Sequence, residues 1–176
     1  MTEKLVIIGN GMAPGRMLEH LLEKAPGQYQ VTIFNAEPRV NYDRIMLSPV
    51  LSGEKDYEQI IIHGDGWYIK HGITLYKGHR IVAIDRDAKT VTSDHGVTES
   101  YDKLVIATGS SPRLLTVHGA ELDGVYYLRR LDDSDRLRGV LNTASRIAII
   151  GGGWIGLEVA AAARKAGVEV TLIEMA

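Results

Sequence analysis

The chain has 176 residues, 45% hydrophobic and 24% charged, proportions of an ordinary globular protein that exclude collagenous, low-complexity and disordered classes. Its 20 Lys plus Arg against 22 Asp plus Glu leave a formal charge of -2, so no broad positive field favours nucleic acid or an anionic membrane. With no cysteine it can hold no disulfide, thiolate metal centre or redox dithiol, and any redox chemistry must come from a cofactor.

In chain order, Leu5 to Ile8 predicts a buried strand. It is too short for the apolar region of a secretory signal, and no run approaches the roughly 20 residues of a membrane span, so the expected location is the cytoplasm. Gly9 to Gly15 reads as a turn, and Leu18, Leu21 and Leu22 as one helix face that ends at Ala25-Pro26-Gly27. Val31 to Phe34 is the next strand. Asp65 to His71 predicts a short helix capped by Asp65. Arg80 to Asp85, Thr90 to Ser93 and Val97 to Ser100 predict a β-meander, and Lys103 to Ala107 a buried strand. Asp132 to Leu141 reads as a polar helix. Ile147 to Ile150 is a strand, Gly151 to Gly153 a turn, Ile155 to Ala166 a helix stopped by Gly167, and Val168 to Ile173 a strand. The two ends thus repeat one βαβ plan, with leading glycines Gly9 and Gly151 142 positions apart.

The second repeat carries the clearest chemistry. Gly151-Gly152-Gly153-Trp154-Ile155-Gly156 is a GxGxxG between strand and helix. Gly151 permits the tight turn, Gly153 lets the backbone approach a pyrophosphate, and Gly156 lets helix and strand pack closely. Glu174 ends the following strand, where an acid accepts from a ribose 2′-OH and repels a 2′-phosphate, which favours NADH over NADPH. A glycine-rich turn with a solvated strand-end acid is the alternative. In the first repeat, Gly9-Asn10-Gly11-Met12-Ala13-Pro14-Gly15 has Pro14 at the third glycine position, which the first turn of a helix tolerates. Its strand ends at Asn35, and Glu37 is the nearest carboxylate for a ribose. The six histidines show no ligand spacing and read as surface or loop residues, and no metal site is expected. Trp67, Tyr68, Tyr126 and Tyr127 lack surrounding basic runs and read as packing residues.

Tyr101-Asp102-Lys103-Leu104-Val105-Ile106-Ala107-Thr108-Gly109-Ser110 resembles the strand-and-turn signature of two-dinucleotide flavoprotein reductases, the FAD/NAD(P)-dependent pyridine nucleotide-disulfide oxidoreductase-like family. Glycine turn, meander, this segment and second glycine turn follow the family's order across the whole chain. The resemblance implies a Rossmann-like α/β fold, incomplete at the C-terminus. Residues 1–144 would be the FAD-binding domain and 145–176 the first βαβ unit of an NAD-binding domain. It also implies FAD contacts at Gly9, Gly11, Met12, Ala13, Pro14, Glu37, Ala107, Thr108 and Gly109, and NAD contacts at Gly151, Gly153, Gly156 and Glu174. Arg44 would meet the FAD phosphates or adenine. Glu158, on the first turn of its helix, would lie near the nicotinamide; helix-dipole complementarity would equally place a Glu there.

Gly9 to Ala13 and Ala36 to Ser48 resemble the N-terminal part of the NAD(P)H nitrite reductase large subunit. The second stretch is also similar to the Y-x-R-P-P-L-S-K segment of ferredoxin and rubredoxin reductases, with Ile45, Met46 and Pro49 in place of the two prolines and the lysine. The resemblance therefore implies an enzyme module that oxidises NADH through FAD and passes electrons one at a time to a downstream redox centre. No catalytic acid or base is expected. Siroheme and an iron-sulfur cluster would bind beyond residue 176, and this stretch alone would be inactive. The alternatives are a ferredoxin or rubredoxin reductase, whose acceptor is a small iron-sulfur protein, and a non-catalytic FAD/NAD-binding module.

Overall fold

The computed structural model describes residues 2–175. In chain order its elements are β1 Glu3–Ile8, α1 Met12–Lys24, β2 Tyr29–Asn35, α2 Leu47–Leu51, α3 Asp65–Lys70, β3 Thr74–Lys77, β4 Ile81–Asp85, β5 Thr90–Ser93, β6 Thr98–Ser100, β7 Lys103–Ile106, α4 Leu131–Leu141, β8 Arg146–Ile150, α5 Trp154–Lys165 and β9 Glu169–Ile173. They form two compact units that alternate along the sequence. The first takes the chain as far as Asp43 and then Ile61–Gly109; the second takes Arg44–Ile60 and the chain from Ser110 onward.

The first unit is built on a parallel sheet of order β3-β2-β1-β7. The apolar runs of β1 and β2 explain it, because strands covered on both faces need side chains that bury on both sides. Leu5 to Ile8 and Val31 to Phe34 are all buried, as is Leu18 of α1. The antiparallel meander β4-β5-β6 supplies fully buried Val91 to a core that also holds Val6, Ile8 and Phe34. Phe34 and Tyr76 stack there with centroids 4.8 Å apart. The chain steps from β1 to β2 to β3 in one direction and later returns on the far side of β1 as β7, so strand order reverses between β1 and β7. In an open α/β sheet that reversal opens a crevice at the carboxyl ends of the strands.

In the second unit β8 and β9 pair in parallel around α5. Its core joins Leu137 and Leu141 of α4, Val159, Ala162 and Ala163 of α5, Val168, and Leu51 of α2. The small side chains of α5 let its neighbours approach closely.

Several elements differ from expectation. The first glycine turn closes at Gly11, so Met12 to Gly15 are already helical and Pro14 occupies the third helical position, where no intrahelical N–H is lost. Asp65 does not cap α3; Gly64 does, and Asp65 instead pairs with Lys77 at 2.8 Å. The helix α4 is amphipathic rather than polar, burying Leu131, Ser134, Leu137 and Leu141. Neither β3 nor α2 was foreseen: β3 is a four-residue edge strand with exposed ends, and α2 carries Pro49 near its start. Among the described residues no helix is long and apolar enough to cross a membrane.

Candidate functional site

In the first unit the crevice at the reversal is walled by the two segments that follow β1 and β7. Gly9 holds φ +109° and donates its N–H to the Phe34 carbonyl at 2.8 Å. A Cβ on Gly9 would collide with the Ala107 carbonyl, whose own N–H donates to Ile8 at 2.8 Å. Only glycine satisfies both the dihedral and the close approach. Thr108 and Gly109 continue from there, exposed, with Gly109 at φ +73°.

Gly11 then caps α1 from extended backbone with no side-chain hydrogen bond, and a Cβ built on it would meet nothing within 4 Å. The first turn of α1 contains no acid, so its positive end is uncompensated by the chain itself. Met12 and Ala13 supply amides there; Pro14 has none to give. The tight glycine contact falls at Gly15, whose Cβ would lie 2.5 Å from Asn41 Nδ2. Glu37, past the end of β2, is buried and accepts from the Tyr42 hydroxyl at 2.7 Å.

Beneath this turn lies a polar layer that the sequence reading missed. His63 lies in a loop, one of the two places expected of the histidines, but it is buried there rather than exposed. Its N–H donates to Asn41 Oδ1 at 2.9 Å, Asn41 Nδ2 lies 3.2 Å from its Nδ1, and its Nε2 lies 2.9 Å from Glu19 Oε1. His63 also stacks on Trp67 at 4.0 Å. Tyr68, buried as expected of a packing residue, donates its hydroxyl to Asn10 Oδ1 at 3.1 Å, while Asn10 Nδ2 is buried without a partner. Bonding to the Arg16 guanidinium holds the Glu19 carboxyl below its ordinary 4.5, and His63 adds to the effect. A polar Asn41 between Val40 and Tyr42 is the sequence signal that could have found it.

The second unit repeats the turn. Gly151 holds φ +106° and donates to the Ile173 carbonyl at 2.9 Å, the same bond that Gly9 makes to Phe34. Gly153 caps α5 with no side-chain bond and open space within 4 Å, and the first turn again has no acid. A Cβ on Gly156 would collide with the Gly151 carbonyl, so the third glycine has the close-packing role here that Pro14 cannot have in the first turn. Glu174 accepts the Gly152 N–H and, through its other oxygen, the Met175 N–H at 2.8 Å.

Glu158 lies on the second turn of α5, since the helix begins at Trp154, and its carboxylate accepts from the Ser48 hydroxyl. Simple complementarity to the first turn therefore does not explain it. Arg44 belongs to this unit, and its Nη1 donates to the Arg129 carbonyl at 3.1 Å. Among the described residues no cluster of three or more His, Asp or Glu converges.

The residues as a set fit a phosphate-bearing ligand in each unit: a glycine turn whose middle glycine faces open space, ahead of an uncapped and uncompensated helix start. Consistent with this, residues 3–176 match the family model described as pyridine nucleotide-disulphide oxidoreductase. The chain is 42% identical over 171 residues to the assimilatory nitrate reductase electron transfer subunit of Bacillus subtilis (strain 168), covering 97% of this chain and 22% of that protein. It is 39% identical to the nitrite reductase [NAD(P)H] of the same organism, covering 99% and 22%. The crystal structure of NADH:rubredoxin oxidoreductase from Clostridium acetobutylicum superposes with a TM-score of 0.87 at 28% identity, covering 99% of this chain and 45% of that one. The chain thus spans less than half of each of these proteins.

Proposed function

The chain belongs to the pyridine nucleotide-disulphide oxidoreductase family, and on that premise we propose that it is the electron-input module of an FAD-dependent NADH oxidoreductase. The observation that carries this reading is the duplicated turn. Gly9 with Gly11 and Gly151 with Gly153 repeat one geometry, once in each unit, with the same strand bond and the same uncapped helix.

In this reading the amides of Met12 and Ala13 and the positive end of α1 hold the FAD pyrophosphate, which Gly11 admits at close range. Pro14 adds the fixed φ of a helix start but no donor. Glu37 serves the adenosine ribose alongside Tyr42, and Ala107, Thr108 and Gly109 form the opposite wall. The turn from Gly151 to Gly156 takes the NADH pyrophosphate. Glu174 accepts from the ribose 2′-OH, which would bring its carboxylate charge against a 2′-phosphate. Arg44 is assigned to the FAD phosphates or adenine by resemblance alone. Residues 1–144 contain the FAD-binding segment and 145–176 open the NAD-binding one. Bound FAD would supply the redox chemistry, taking an electron pair as hydride from NADH and releasing electrons singly. The chain itself contributes binding, orientation and exclusion of water, and no proton-transfer group is assigned.

The acceptor we propose is the redox centre of a nitrite reductase, with siroheme and iron-sulfur cluster held outside these residues. A small iron-sulfur protein is the second reading, supported by the likeness to the rubredoxin oxidoreductase. The test is anaerobic mixing of the full-length natural polypeptide, loaded with FAD, with NADH. Loss of the flavin's visible absorbance is expected, followed by reoxidation by nitrite. Bleaching followed by reoxidation only by an iron-sulfur protein would select the second reading. A flavin that NADH leaves oxidised would overturn both in favour of a non-catalytic module.

A further inference from the structure

The Ser48 hydroxyl donates to the Glu158 carboxylate, and this pairing joins α2 to α5 across 110 positions of sequence. We propose that Ser48 is a positioning residue for the second dinucleotide site, tethering Glu158 beside the start of α5 so that its charge stays off the pyrophosphate. The inference rests on the reading above, in which that turn takes NADH.

Long helical side chains lean back toward the N-terminus of their own helix. Glu158 sits one turn inside α5, so its carboxylate, released from Ser48, would reach back along the first turn toward the amides that follow Gly153. That helix end is positive and contains no acid of its own. An untethered carboxylate would be drawn to those amides and would repel an incoming phosphate. Ser48 removes that freedom by offering a neutral donor on the α2 side.

The donor is itself well fixed. Leu47, Val50 and Leu51 on either side of it are buried, and the Leu47 carbonyl accepts from Ser134 Oγ at 3.4 Å. Little ordering is left to do when the bond forms. A hydroxyl also leaves the carboxylate its full charge and most of its acceptor sites, whereas an ammonium would neutralise it. Glu158 therefore stays open to neutral donors of a ligand while held away from its phosphates.

The experiment uses the full-length, FAD-loaded protein with Ser48→Ala, Ser48→Thr, Glu158→Gln and the double variant S48A/E158Q. For S48A the KM for NADH and the calorimetric Kd for NAD+ are expected to rise together by roughly threefold to tenfold, the scale of one ordinary net hydrogen bond. The kcat should hold within about twofold. Ser48→Thr should restore both constants. On the E158Q background S48A should change neither, because no charge remains to tether. The S48A defect should shrink at high salt, as screened repulsion does, which a packing defect would not do. Equal effects of S48A with and without E158Q, or an S48A protein that binds NAD+ like the parent, overturn the role while leaving NADH oxidation intact. If the parent flavin is not reduced by NADH at all, the proposed function falls and this role falls with it.

Discussion

Glu174 and Gly152 are joined by a hydrogen bond from the glycine N–H to the carboxylate, so the acid that ends β9 already lies across the turn that opens α5. That bond ties the end of β9 to the glycine turn before α5. Glu174→Ala removes the clasp and, in the function proposed above, the acceptor for a ribose hydroxyl. The ratio of kcat/KM for NADH over that for NADPH is expected to fall by about tenfold or more, the scale of one hydrogen bond to a charged group. An unchanged ratio would remove Glu174 from the ribose site.

The two glycines of the first turn separate ligand binding from folding. Gly11 faces open space and has an ordinary negative φ, so Gly11→Val should cost no more than about 1 kcal/mol of stability. The same variant should purify without flavin, because the added methyls occupy the approach to the pyrophosphate. Gly9→Ala should behave in the opposite way and fail to fold, since its Cβ meets the Ala107 carbonyl at a φ that L-residues avoid. A yellow, folded Gly11→Val protein would make the first turn structural only.

Asn41→Ala should be among the most destabilising single changes. It strands the buried His63 N–H and deprives His63 Nδ1 of its partner, at a cost of about 2 to 4 kcal/mol in urea unfolding. A loss below about 1 kcal/mol would mean that water replaces the carboxamide.

The pH dependence of one contact follows from its sign. The Glu19 carboxyl is held below its ordinary 4.5 by Arg16 first and by His63 after it. A depressed folded value means that the contribution is fully present above the unfolded value and is lost as pH falls through the folded one. The difference in Tm between the parent and Glu19→Gln should therefore be larger at pH 7 than at about pH 3. Because Glu19 is partly solvent-exposed the difference should be modest, and a gap that widened in acid would contradict the assignment.

Much of this architecture was legible because local chemistry and global fold agree. Leu5 to Ile8 is apolar at every position and all four residues are buried in β1, which starts two residues earlier at the exposed Glu3. In the second glycine turn Gly151 takes the positive φ and Gly156 the close helix contact that the pattern called for. The failures have equally local causes. Thr74 to Lys77 joins the sheet at its edge, where only one neighbour and partial burial leave little hydrophobic signature. The helix α2 has five residues and a proline, too short for any periodic pattern, and its tertiary partners lie far along the chain. His63 and Ser48 act through residues 22 and 110 positions away, distances over which pattern reading has no reach. Pro14 obscured the first turn because its helix starts two residues before it, moving the close-packed glycine to position 15.

The arm Arg44–Ile60 gives Leu51 to a core whose other members lie from Leu137 onward. On a ribosome that adds about 5 to 20 residues per second, Ser48 emerges roughly 5 to 20 s before Glu158, the residue it bonds. Within that interval the first unit runs to its last residue, Gly109, while Leu51 still lacks the core partners that begin at Leu137. Slower synthesis should therefore leave Leu51 without its partners for longer on the nascent chain, a vulnerability that the finished protein's stability does not reveal.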